Sequence, residues 1–211
     1  MTFASVKYFI VKNPKKYKSF AAFKKIYSSK EIAILKNKCY LPLGFSYENY
    51  IYKSDFLKLD NKSRQRILLK AIVLDSSEFN FNKINKIQKF DTNQILTGNL
   101  CADVKKLKKD TLIIESFRNK KIKGRINLKS DKILFFSIPY DKGWTLFANN
   151  KKIKLFRANI GFTAAYLPKG NYNITLRYLP PYFYLTLTIS ILSILLYLIF
   201  LLKPKFKKLD I

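Results

Sequence analysis

Histidine is missing altogether from this 211-residue chain. Its absence excludes Ser-His-Asp and Cys-His catalysis and any zinc site with histidine ligands. The two cysteines, Cys39 and Cys101, are too few to build a metal site alone. The plainer expectation for them is two buried, unpaired thiols; outside the cytoplasm they could instead form a disulfide. Acidic residues number 13 against 41 lysines and arginines. Asp103, Asp110, Glu115, Asp131 and Asp141 are scattered, and no two are spaced for paired acid–base work. Among so many lysines they read as surface charge partners. Glycine and proline are scarce, and neither repeats nor low-complexity linkers interrupt the chain. No cofactor is expected.

The resulting net charge is +28. Such a charge invites a nucleic-acid reading. The lysines, however, are spread along the chain, with no helix-turn-helix, zinc-finger, RNP or GxxG pattern beside them. Nucleic acid is therefore not an expected partner. The densest cluster is Lys105, Lys106, Lys108 and Lys109, followed by Lys120, Lys121 and Lys123. The cluster reads as a solvated surface. Its functional alternative is an anion-binding patch for lipid headgroups or a polyanionic wall polymer.

Apolar residues make up 48% of the chain and aromatics 16%, enough for a real core. Lys, Asn, Ile, Phe and Tyr are abundant, a bias that AT-rich codons alone can produce. Tyr182 to Leu202 is an uncharged, mostly apolar run of about 21 residues, long enough to cross a bilayer as a helix. Lys203-Pro204-Lys205-Phe206-Lys207-Lys208 follows it, whereas Lys169 and Arg177 are the nearest cations before it. Tyr178, Tyr182 and Tyr184 make an aromatic belt on that side. This asymmetry predicts a cytoplasmic tail and an extracytoplasmic domain in the cell membrane. The first 30 residues contain no signal peptide. Two explanations follow: a tail-anchored protein with a cytosolic domain, or the end of a longer polytopic protein. Within the run, Thr186, Thr188, Ser190 and Ser193 sit at roughly helical spacing. They could contact neighbouring spans or bond back to their own carbonyls.

The rest of the chain predicts a mainly β fold. A β-sandwich-like extracytoplasmic domain with a short helix precedes one C-terminal transmembrane helix. The expected division is an α+β segment over 1–78, a β-sandwich-like domain over 79–180, a span over 182–202 and a basic tail over 203–211. Strands are expected over 3–12 and 31–36. Asp60 caps a helix over about 62–74, with Ile67, Leu68, Ala71 and Leu74 on its apolar face. From Phe79 onward the texture is all β, with strands over 86–90, 93–97, 111–117, 125–138, 145–147, 151–156, 162–167 and 171–178. Asn149-Asn150 and Lys169-Gly170-Asn171 read as hairpin turns, and Asp141-Lys142-Gly143 as a turn before Trp144.

One string is specific. Phe136-Ser137-Ile138-Pro139-Tyr140-Asp141-Lys142-Gly143-Trp144 is followed by Asn149-Asn150-Lys151-Lys152, Asn159-Ile160-Gly161-Phe162 and Leu167-Pro168-Lys169-Gly170-Asn171-Tyr172. It resembles the C-terminal end of the YfhO family of bacterial membrane proteins, with its "IPYdkGW" turn, "dGkk" hairpin, "n.gF" segment and "lpkG" strand. Upstream, Val6-Lys7-Tyr8 resembles the family's "vkY", and Asn37 with Leu41-Pro42-Leu43-Gly44-Phe45 its "N...LPlgf". Asn149-Asn150 departs from the usual Asp-Gly but still suits a tight turn, and Tyr172 replaces a usual His.

The resemblance implies a GT-C-like glycosyltransferase with many spans ahead of this domain. Its donor would be a polyprenyl-phosphate sugar and its acceptor a cell-envelope polymer such as lipoteichoic acid. The catalytic acidic residues of such proteins lie in loops near the N-terminus, which this chain does not hold. The chain is thus expected to be a non-catalytic C-terminal part. Its expected partners are the upstream transmembrane bundle, membrane lipid and an anionic glycopolymer. A complete, membrane-anchored surface module binding anionic polymer or lipid is the alternative. A cytosolic tail-anchored protein with nucleic-acid affinity is a third. Trp144 reads first as a core anchor and second as a sugar-stacking platform, with Tyr140 and Asp141 then bonding to hydroxyls.

Overall fold

The computed structural model describes residues 5–12, 23–77, 87–95 and 99–202. The chain divides into two units, one through Tyr178 and one from Leu179. In the first, β1 (Tyr8–Lys12), β2 (Phe23–Ser28) and β3 (Ile32–Asn37) form a small antiparallel sheet in the order β1-β3-β2. Then come β4 (Gly44–Tyr47), β5 (Asn49–Tyr52), α1 (Lys53–Lys58), α2 (Asn61–Ile67), β6 (Ile72–Leu74), β7 (Gln88–Lys89) and α3 (Leu100–Leu107). The remaining strands are β8 (Ile113–Arg118), β9 (Lys121–Leu128), β10 (Lys132–Pro139), β11 (Trp144–Ala148), β12 (Lys151–Ile153), β13 (Leu155–Ala158), β14 (Phe162–Leu167) and β15 (Gly170–Tyr178). A seven-stranded mixed sheet runs β4-β10-β14-β13-β6-β5-β7, and a five-stranded antiparallel sheet runs β12-β11-β15-β9-β8.

Burial explains the layering. In β10, Lys132 to Phe136 are buried without a break. Successive side chains point to opposite faces, so such a run needs cover on both sides. Leu134 and Phe136 face Ile122, Ile126, Leu146, Ile174 and Leu176 of the five-stranded sheet. Ile133 and Phe135 face the opposite way, with Phe45, Tyr47, Val104 and Leu107. The seven-stranded sheet is therefore the middle layer, between the five-stranded sheet and α3. On the α3 side Phe135 meets Phe45 at 5.0 Å between ring centroids and Tyr47 at 5.9 Å. The buried Tyr47 hydroxyl donates to the Leu68 carbonyl at 2.6 Å, and burial pushes its ionisation far up.

The sandwich-like, mainly β expectation agrees with this architecture, while several local expectations need correction. The helix from Asp60 is real but ends at Ile67. Asp60 accepts from the Lys62 and Ser63 amides at 2.8 and 3.1 Å, as an N-cap should. Its far end, Ile72-Val73-Leu74, is instead the buried strand β6. Asn159, itself buried, explains why. It accepts from the Val73 amide through its side chain at 2.7 Å and donates its own amide to the Val73 carbonyl at 2.9 Å. The expected strand over 93–97 is a 3-10 turn at Thr92–Gln94 as far as it is described.

The all-β expectation beyond Phe79 missed α3, which Asn99 caps by accepting from the Cys101 amide at 2.9 Å. The run over 125–138 is two strands, because Asp131 closes a corner by accepting from the Tyr166 hydroxyl (2.7 Å) and the Lys169 amide (3.0 Å). Asn149-Asn150 is a hairpin turn, both residues having positive φ. Lys169-Gly170 is not one: β14 and β15 lie in different sheets, and the chain crosses between layers there. It crosses again at Lys154, between β12 and β13. The strand expected over 3–12 is described as Tyr8–Lys12, that over 86–90 as Gln88–Lys89, and the basic tail lies outside the described residues.

The cysteines also differ from the plainer expectation. Cys39 is buried, Cys101 is exposed, and the two form a disulfide with Cα atoms 5.3 Å apart, within the usual range. It ties the start of α3 to the segment after β3. The second unit is α4 (Phe183–Leu202), a helix long and apolar enough to cross a membrane. All four of its serine and threonine hydroxyls donate to its own carbonyls: Thr186 to Phe183, Thr188 to Leu185, Ser190 to Thr186 and Ser193 to Ile189, at 2.8–3.0 Å.

Reduction of the disulfide, which closes a sequence separation of 62 residues, should lower the unfolding free energy by about 4 kcal/mol on chain-entropy grounds. Urea unfolding with and without reductant measures this. Gly124 faces the Ile113 carbonyl so closely that a Cβ would strike it. Gly124→Ala should cost about 1–3 kcal/mol, read as a lower urea midpoint.

Candidate functional site

The sequence string around Trp144 folds as a turn whose polar groups serve the turn. The Asp141 carboxylate accepts from the Gly143 amide at 2.7 Å, and the Asp141 carbonyl from the Trp144 amide at 3.2 Å. Trp144 is half-buried against the core between the sheets and meets Tyr178 of β15 at 4.8 Å between centroids. Burial and the neighbouring Asp141 push the Tyr178 phenol up. Tyr140 goes elsewhere: its amide donates to the Gly161 carbonyl at 2.9 Å and its ring lies 5.4 Å from the Arg157 guanidinium. The three candidate glycan contacts thus separate into Asp141 and Trp144 with Tyr178, and Tyr140 with Arg157.

The candidate anion-binding lysines separate too. Lys105 and Lys106 are exposed on α3. Lys108 lies over the Tyr40 ring at 4.2 Å, a ring that Lys7 also approaches at 5.4 Å. Lys106 and the exposed Lys109 rim a cleft of about 500 Å³ beside α3 and the start of β10. Deeper in that cleft the charges are matched. Buried Lys132 pairs with Asp110 and, at 2.5 Å, with Glu48. Burial pulls the Lys132 ammonium down, but the two carboxylates outweigh it and the net shift is upward. Lys132 therefore stays charged and is no general base. Asp103 pairs with Arg66 at 3.2 Å and Lys70 at 4.0 Å.

The other carboxylates are occupied as well. Glu115 pairs with Arg125 at 2.5 Å, and Asp131 holds the Tyr166 hydroxyl. Burial, then Asp131, pushes that phenol up to about 12. The expectation of surface partners needs one correction: Asp103 is buried. Among the described residues no cluster of carboxylates and cysteines could hold a metal ion.

One group of residues escaped the sequence reading. Arg118, Lys121, Lys123 and Arg177 stand together on the solvent face of the five-stranded sheet. The signal was present in the strict alternation from Lys121 to Leu128. It was obscured because the strand was expected to begin at Arg125, leaving Lys121 and Lys123 in a loop.

If Asp141 is a turn former, Asp141→Ala should lower the unfolding free energy by about 1 kcal/mol through loss of the Gly143 bond. Trp144 fluorescence during urea unfolding reads both the stability and the altered ring environment.

A family model described as bacterial membrane protein YfhO matches residues 85–190, half of the chain. A stretch of 79 residues is 37% identical to the uncharacterized protein YfhO of Bacillus subtilis (strain 168). That stretch covers 37% of this chain but only 9% of the relative. No solved structure matches. The chain belongs to the YfhO family of bacterial membrane proteins.

Proposed function

We propose that this chain is the non-catalytic, extracytoplasmic C-terminal part of a YfhO-type integral membrane protein. The whole protein would transfer sugar from a polyprenyl-phosphate donor to a cell-envelope polymer such as lipoteichoic acid. The transfer step is carried over from the family resemblance. The division of labour rests on the site itself. Every carboxylate singled out in the sequence is spent on a cation, an amide or a phenol. The chain has no histidine, and none of these carboxylates is left free for acid–base work.

The observation that carries the orientation is the Cys39–Cys101 disulfide. Disulfides persist in oxidising surroundings and are rare in the cytosol. A domain outside the membrane also agrees with the lysines after Leu202. In this reading the exposed Lys105, Lys106 and Lys109 contact anionic polymer or lipid headgroups, and α4 packs with the other spans of the protein.

A membrane-impermeant amine reagent applied to intact cells should label Lys105, Lys106 and Lys109 but not Lys203 to Lys208, as read by peptide mass spectrometry. Labelling of the α3 lysines only after lysis would place the domain in the cytosol and end this reading. Sugar transfer by this chain without other spans would end the non-catalytic assignment.

A further inference from the structure

Strand β9 alternates without a break. Lys121, Lys123, Arg125 and Asn127 face away from the core, while Ile122, Gly124, Ile126 and Leu128 face it. Residues directly opposite on antiparallel strands share a face. On β15, Arg177 therefore stands beside Lys121, Thr175 beside Lys123, Asn173 beside Arg125 and Asn171 beside Asn127. On β8, Arg118 stands beside Lys121 and Ser116 beside Lys123. One end of the face thus gathers Arg118, Lys121, Lys123 and Arg177. The other gathers three asparagines around an open cleft of about 340 Å³.

The cationic end is not neutralised from within. The carboxylate in an ion pair on this face, Glu115, is committed to Arg125. Lys121, Lys123 and Arg118 have no ion pair among the described residues. Lys123 first, then Arg177, and more weakly Arg118, hold the Lys121 ammonium below the usual lysine range. Like charges side by side on a sheet cost stability. An anion bridging them would relieve that repulsion and gain from the local potential.

Geometry restricts what that anion can be. Outward residues recur about every 6.8 Å along a strand and about every 4.8 Å across neighbouring strands. The face is open to solvent across three neighbouring strands, so it suits an extended chain with repeated charges better than one compact ligand. The Arg177 guanidinium is held 5.5 Å from the Phe147 ring centroid, which limits its freedom before any ligand arrives. The asparagine amides offer both donors and acceptors, as hydroxyl groups require. Cations alone would serve a bilayer surface; the amide end would add nothing there.

We propose that the solvent face of the five-stranded sheet binds an extended, hydroxyl-bearing phosphodiester chain. Phosphates sit on Arg118, Lys121, Lys123 and Arg177, and hydroxyls on Asn127, Asn171 and Asn173. This face is separate from the lysines of α3, which belong to the opposite side of the seven-stranded sheet. It does not depend on whether the whole protein transfers sugar.

The test uses the full chain in phosphatidylcholine nanodiscs, titrated with an abasic deoxyribose–phosphate oligomer over a range of salt. Four phosphate contacts predict a slope of log K against log salt of about −3 on the single-strand scale. Lys121→Gln with Lys123→Gln should weaken binding and flatten the slope by about 1.4. Asn171→Ala with Asn173→Ala should weaken binding several-fold and leave the slope unchanged. Lys58→Gln with Lys62→Gln, exposed on α1 and α2 and outside both basic groups, should change neither. Circular dichroism and Trp144 fluorescence verify folding, and Arg118→Gln replaces the double variant should that one fail to fold.

Equal loss from the Lys58 and Lys62 variant would mean diffuse charge attraction and would overturn the proposal. So would binding that ignores Lys121 and Lys123. Binding to phosphatidylglycerol vesicles that depends on Lys121 and Lys123, with none to the oligomer, would make the face a lipid contact instead. The orientation read from amine labelling is a separate measurement, so either result can fail without the other.

Discussion

Strand β10 sets the terms for the rest of the domain. Its buried run from Lys132 to Phe136 has no solvent face, so one layer of protein must cover each side. Neither cover comes from nearby sequence alone. Leu134 and Phe136 are covered by strands on both sides of β10 in the chain, and Ile133 and Phe135, flanked in their own sheet by β4, are covered by α3. The chain must therefore pass from one sheet to the other repeatedly: between β9 and β10, between β10 and β11, at Lys154 and at Lys169-Gly170. The buried charge at the head of the strand obeys the same constraint. The Lys132 side chain is only 7% exposed, and Asp110 and the largely exposed Glu48 meet its charge at the cleft.

Many polar residues of the family string maintain this layering. Asn159 completes the hydrogen bonding of β6. Asn37, buried, donates to the Val6 carbonyl at 3.2 Å and accepts from the Cys39 amide at 2.9 Å. Asn149 lies in a positive-φ turn and accepts from the Asn173 amide at 2.8 Å. Asp141 shapes the turn before Trp144. A short motif of this kind identifies the family because it encodes corners that few other residues can make. It does not thereby mark a binding site.

Elements with a strong local signal were legible in the sequence. The apolar run of α4 and the strand Phe162–Leu167 needed no long-range information. The cap at Asp60 marked a helix start, but nothing local marked its end. Ile72-Val73-Leu74 continues a plausible helical face, and only the distant Asn159 and the neighbouring strands turn it into a strand. Helix α3 was hidden by its own lysines, which look like a solvated run until Val104 and Leu107 are seen against the core. The disulfide was open in the sequence because pairing depends on where the fold brings Cys39 and Cys101. The cationic sheet face was hidden by a strand boundary displaced by four residues. That displacement removed two of its members from the pattern.

The four serine and threonine hydroxyls of α4 have a consequence for how that helix can be recognised. Each is turned inward onto the helix's own backbone, so none projects a bonding direction to a neighbour. What remains on the lateral surface is hydrocarbon apart from the Tyr184 and Tyr197 phenols. Over the hydrocarbon a neighbour gains nearly the same dispersion energy whichever side it meets. Rotational register about the helix axis must then come from the tyrosines, Tyr182 and Tyr184 at one end and Tyr197 towards the other, or from the shapes of Leu and Ile side chains.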